Sequence, residues 1–184
     1  SLLISLLISL LISFLIAVPL PLYLCLCFLL LHLLLHLFLL MCCTHTVVTM
    51  EWWSDLWLNE GFATWAGTLA VDHVFPDWDT WTQFSQDDGS YALSTDALLS
   101  SHPIQVNITD PAMIDQVFDA LSYSKGACMI RMLESHVGPD VFRLGLRNYL
   151  EKHQYNNTVT SDLWAAISST AGYNVADVMD TWCK

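Results

Sequence analysis

Not one of the first 43 residues carries a charge, and all 6 basic and 18 acidic residues follow Cys43. That division limits what the chain can fold into before any motif is read. A charge-free apolar run cannot supply the solvated face of a water-soluble domain, so residues 1–43 and 47–184 are read as separate units. The run opens on a four-residue repeat, SLLISLLISLLISFLIAV, is broken by Pro19 and Pro21, and continues as LYLCLCFLLLHLLLHLFLL. Each half approaches the ~20 apolar residues that a bilayer-spanning helix requires. On one reading this is an apolar helical segment, one anchor or two spans, that gives the chain a membrane as partner and location. On the other, the low complexity, the absence of flanking Lys or Arg and the lack of an initial Met mark translated non-coding sequence, and the remainder is cytoplasmic.

The net charge of -12 falls wholly on the second unit. A nucleic-acid partner is excluded on that ground, since a phosphate backbone calls for a basic patch. Of the six cysteines, Cys25, Cys27, Cys42 and Cys43 lie in or beside the apolar run, and Cys128 and Cys183 are far apart, so no CxxC zinc spacing occurs. Sequons at Asn107 and Asn156 matter only for a chain that enters the secretory pathway.

The second unit reads as mainly α. Leu56 to Phe75 is a long apolar helix ended by Pro76, with Ser54 or Asp55 as N-cap. DWDTWTQF is a short helix and QDDGS a loop, and SHPIQVNITDP is extended between two prolines. Gln116 to Val137 resumes the helical period and stops at Gly138 and Pro139. Val141 to His153 and Ser161 to Thr170 follow. Asn174 caps a last helix, whose Val175, Val178, Met179 and Trp182 fall on one face.

Within the first of these helices stands the residue that most needs explaining. Glu60 is the sole charged side chain between Leu56 and Val71. An unpartnered buried carboxylate costs several kcal/mol, so Glu60 either faces water or meets a cation.

VTMEWWSDLWLNEGFATWAG and FDALSYSKGACMIRMLESHVG resemble two successive blocks of the zinc aminopeptidases of the membrane alanyl and puromycin-sensitive type. These are gluzincins with a thermolysin-like catalytic domain. The similarity runs in order from about Val47 to Lys184 and takes in SDLWAAISSTAG and MDTW. It implies that residues 47–184 are the helical half of a thermolysin-like zincin domain, part of an enzyme that releases N-terminal amino acids from peptides. In that family two histidines of HExxH and a glutamate of the next helix hold zinc, with one position open for water. The resemblance gives the third-ligand role to Glu60, and to Tyr123 the donation of a phenolic hydrogen to the oxyanion of the tetrahedral intermediate. Lys125 and Asp115 stand nearby as supporting residues.

The resemblance also defines what is missing. At the family spacing HExxH belongs at positions 37–41, where the chain has Leu37, Phe38, Leu39, Leu40 and Met41. The GxMEN segment that binds the substrate's amino group has no counterpart. His32 and His36 have HxxxH spacing, yet Leu33 occupies the place of the base and His36 falls five residues early. The expectation is a fragment of a zinc aminopeptidase that binds zinc poorly and has little activity alone. The competing expectation is a membrane-anchored, non-catalytic helical binding module.

Overall fold

The computed structural model describes residues 47–184. The apolar segment 1–43 and the His32/His36 pair lie outside the described residues. Within them, no helix is long and apolar enough to cross a membrane.

The described part is mainly helical, as the pattern predicts. Strand β1 (Val48–Met50) leads into α1 (Trp57–Val74). Then come α2 (Thr80–Phe84), a π-turn over Ser85–Gly89, and α3 (Ser90–Asp96). An irregular stretch and a 3-10 turn, Pro111–Val117, precede a second π-turn, Leu121–Lys125, which runs directly into α4 (Gly126–Val137). Helix α5 (Pro139–His153), strand β2 (Asn156–Thr158), α6 (Thr160–Ala171) and α7 (Ala176–Cys183) complete the order. β1 and β2 form a parallel pair in the register Val48↔Asn156 to Met50↔Thr158.

The core forms where α1, α4, α5 and α6 meet. Trp57, Leu133, Leu163 and Ile167 are fully buried in it, and Trp65 of α1 packs edge-on to Phe142 of α5 at 5.4 Å between ring centroids. Burying side chains of this size supplies ~1.5–3 kcal/mol each, the main force holding the helices together.

Four local expectations need correction. Neither Ser54 nor Asp55 caps α1: the helix starts from Leu56 with no side-chain cap. Ser54 Oγ accepts from the Ile108 amide instead, and Asp55 turns inward to Thr160 and Gln105. QDDGS is not a loop but the π-turn that joins α2 to α3, a wider turn that absorbs the extra residue. The helix expected from Gln116 begins only at Leu121, so Val117 and Phe118 precede it, Val117 buried and Phe118 exposed. On α7 the buried face is Val175, Met179 and Cys183, while Val178 and Trp182 are exposed. Asn174 does accept from the Ala176 amide at that helix's start.

Two buried acids make the fold sensitive to alkali. Burial pushes the Tyr149 phenol up to about 12 and the Cys183 thiol up to about 12. Tyr149 also shares a 2.6 Å hydrogen bond with Thr158. Both groups hold their protons more tightly folded than unfolded, so their contribution is complete below the unfolded values of 9 and 10 and is lost as pH rises toward 12. Denaturant midpoints measured from pH 8 to 12 are expected to fall above pH 9, and Tyr149→Phe to flatten the part above pH 10.

Candidate active site

A close contact between α1 and α4 sets the site. Gly61 of α1 lies against Gly126, the first residue of α4. A Cβ built on Gly61 would stand 2.8 Å from the Gly126 carbonyl carbon, and one on Gly126 would stand 3.2 Å from the Gly61 Cα. Two glycines in helices cost ~1 kcal/mol each relative to alanine, and here they allow the backbones to touch. Glu60 precedes one of them and Tyr123 stands three residues before the other. The contact therefore sets the spacing between these two side chains.

Tyr123 occupies the middle of the π-turn Leu121–Lys125. The Ala120 carbonyl accepts from both Ser124 N and Lys125 N, each at 2.9 Å, which is how the turn takes in one residue more than an α-turn. An inserted residue rotates what precedes it relative to the rest of the helix, and turns of this kind recur at functional sites. The phenol of Tyr123 lies within electrostatic reach of the Glu60 carboxylate. Burial first, and then the neighbouring negative charge of Glu60, push the phenol up to about 12. It is thus fully protonated at neutral pH and serves as a donor.

Sequence reasoning missed the residues around the turn. Asp119 Oδ1 accepts from Leu121 N at 2.9 Å and Ser122 N at 3.1 Å, and its Oδ2 lies 2.8 Å from His102 Nε2. Ser124 Oγ donates to Asp88 at 2.7 Å. Lys125 makes a 2.9 Å ion pair with Asp96, and Asp115 is exposed on the 3-10 turn. Paired glycines in the two quoted blocks, NEGFA and SKGA, were the available signal of a close helix crossing.

The donor set among the described residues does not by itself fit a zinc ion. Among the described residues no three His, Cys, Asp or Glu side chains converge as a metal site would require. Glu60 provides one carboxylate, whereas zinc takes four ligands and catalytic sites draw three from protein. Nor does the apolar cavity beside α1 serve the pair. It is an open groove of about 480 Å³ between α1 and α5, lined by Leu58, Phe62, Leu69 and Leu146. Helical spacing puts Glu60 on the opposite side of α1.

With the pair in place, the comparison with known proteins is decisive. Residues 44–182 match the peptidase family M1 domain. The chain belongs to this family. It is 51% identical over 138 residues to Aminopeptidase M1 of Arabidopsis thaliana, covering 75% of this chain and 16% of that protein. Aminopeptidase 2 of Candida albicans is 50% identical over 138 residues, 75% of this chain and 15% of the relative. The Alanine/arginine aminopeptidase of Saccharomyces cerevisiae is 44% identical over 138 residues, again 75% of this chain and 16% of the relative. The M1 chain thus spans about one sixth of the length of these relatives. The resemblance to the zinc aminopeptidases read from the two sequence blocks is correct.

Proposed function

We propose that this M1 chain carries the glutamate and tyrosine half of a zinc metalloaminopeptidase centre, a site for release of N-terminal amino acids from peptides, and that it is inactive by itself. The observation behind this reading is the close Gly61/Gly126 crossing, which sets Glu60 and Tyr123 beside each other. It brings together, from two separate sequence blocks, the two side chains to which the family resemblance gives chemical roles. The aminopeptidase names of the relatives support peptides as the substrate class.

Tyr123 is the part of the chemistry that this chain holds in working form. A protonated phenol beside a carboxylate can turn its hydrogen to an oxygen that gains negative charge in the transition state. A preorganised donor of this kind is worth ~3–4 kcal/mol of barrier, two to three powers of ten in rate. That gain requires an activated nucleophile for Tyr123 to assist. The sequence contains no HExxH, so the two histidines and the base glutamate of the family are missing, and one carboxylate does not fit zinc.

The test is an aminoacyl-p-nitroanilide assay of the purified full chain with and without added zinc. Release no faster than zinc alone is expected. Turnover that disappears in Tyr123→Phe would overturn the inactivity and leave the role of Tyr123 standing.

A further inference from the structure

Tyr123 is held by its backbone, and one side chain does most of the holding. The first N–H groups of a helix have no partner inside it. Here the amides of Leu121, Ser122 and Tyr123 all turn back to Asp119. Its side chain takes the first two, at 2.9 and 3.1 Å, and its own carbonyl takes the third, at 3.1 Å. The opposite carboxylate oxygen is engaged at 2.8 Å by His102 Nε2, and His102 Nδ1 lies 2.7 Å from the Pro103 carbonyl. The imidazole is thus fixed at both nitrogens, and through it the extended segment before Ile104 anchors the carboxylate.

We propose that Asp119, braced by His102, is the positioning residue that sets the π-turn so that Tyr123 stands beside Glu60. The inference rests on the reading of Tyr123 as the oxyanion donor and deepens it. Other contacts near the turn act elsewhere. Ser122 Oγ donates to the Val117 carbonyl at 2.6 Å, and Ser124 and Lys125 reach out to Asp88 and Asp96. Asp119 alone takes up the three consecutive amides that end at Tyr123. A hydrogen bond to a charged acceptor contributes about twice what a neutral one does, so a carboxylate is well suited to this place. Asp119 and His102 are each 30% exposed, a half-buried setting in which both can be replaced without opening the core.

The test labels the tyrosines of the full chain with 13C at Cζ and reads the Tyr123 signal, assigned by its loss in Tyr123→Phe, at pH 7 and well below the melting temperature. Asp119→Ala is expected to move that signal toward the position of the exposed Tyr155. Asp119→Asn keeps an acceptor for the Leu121 and Ser122 amides and is expected to restore most of the wild-type position. A merely structural role would lower the melting temperature and leave the signal in place, and that result overturns the inference. If Asp119→Ala does not fold, His102→Ala is read instead, with a smaller displacement in the same direction expected and no displacement contradicting the proposal. Glu60→Gln separates the two claims. A signal unmoved by Glu60→Gln defeats the site reading and this inference with it, whereas one moved by Glu60→Gln but not by Asp119→Ala defeats the inference alone.

Discussion

Gly61→Ala is expected to destabilise the protein by about 2 kcal/mol and to pull Tyr123 away from Glu60, although alanine is the better helix former. Propensity alone predicts a gain of ~0.5–1 kcal/mol from the exchange in a helix interior. The added methyl, however, meets the Gly126 carbonyl carbon at 2.8 Å, its Cα at 3.0 Å and the Ala127 nitrogen at 3.1 Å, all backbone that cannot rotate aside. The helices must separate, and overpacking of this kind costs ~1–3 kcal/mol, sometimes more. Gly67 in the same helix is the internal control, since a Cβ there meets nothing within 4 Å. Gly67→Ala is expected to raise stability by ~0.5–1 kcal/mol. Opposite signs for two Gly-to-Ala changes six residues apart, read from denaturant unfolding curves, would show that the contact rather than the helix sets the outcome. Equal signs would contradict it.

Asp55→Ala is the second large effect, an expected loss of ~2–4 kcal/mol in the same measurement. Asp55 is only 6% exposed. Its Oδ1 accepts from Thr160 Oγ at 2.5 Å, from Thr160 N at 3.3 Å and from Gln105 Nε2 at 2.7 Å. Thr160 Oγ in turn accepts from the Trp57 indole at 3.0 Å. One carboxylate thus joins the entry to α1, the start of α6 and the extended segment between α3 and the 3-10 turn. Removing it leaves several donors buried without an acceptor, while the positive end of α6 keeps only Asp162 of the two carboxylates bonded to its first amides. Asp55→Asn keeps an oxygen at the same place and is expected to lose roughly half as much. A cost below ~0.5 kcal/mol for Asp55→Ala would mean that these bonds contribute little net stability.

Asp55 also shows where a sequence stops being legible. A Ser-Asp pair ahead of an apolar helix is a sound local N-cap signal, and it failed because the partners of Asp55 lie 50 and 105 positions away. The same limit explains the π-turns. QDDGS holds a glycine and two aspartates, residues that favour turns, yet Asp88 takes a hydrogen bond from Ser124 and the segment stays helical. The strands β1 and β2, three residues each, are too short for period-2 alternation to register. By contrast, α1 was readable as a long apolar run stopped by Pro76, and α4, α5 and α6 by their apolar periodicity with a Gly or Pro at one end. Gly138, at φ +89, is one such stop.

The site was half legible for a related reason. Glu60 stood out because a charge in an apolar helix must be compensated, which is a local fact. Tyr123 could be assigned only through the family blocks, since one tyrosine near a glycine says nothing about what it faces. Asp119 and His102 left no sequence signal, because their meaning depends on which amides and which ring nitrogen come within 3 Å. The fold supplies that information and spacing does not.

The central claim is that the Glu60–Tyr123 pair is present without a complete metal site. Its most direct test is the zinc content of the full chain after equilibration with zinc and removal of the excess, measured by elemental mass spectrometry for the wild type and Glu60→Ala. The account predicts far less than one zinc per chain in both proteins. One tightly held zinc per wild-type chain, lost in Glu60→Ala, would contradict it and would mean that side chains outside residues 47–184 complete the site.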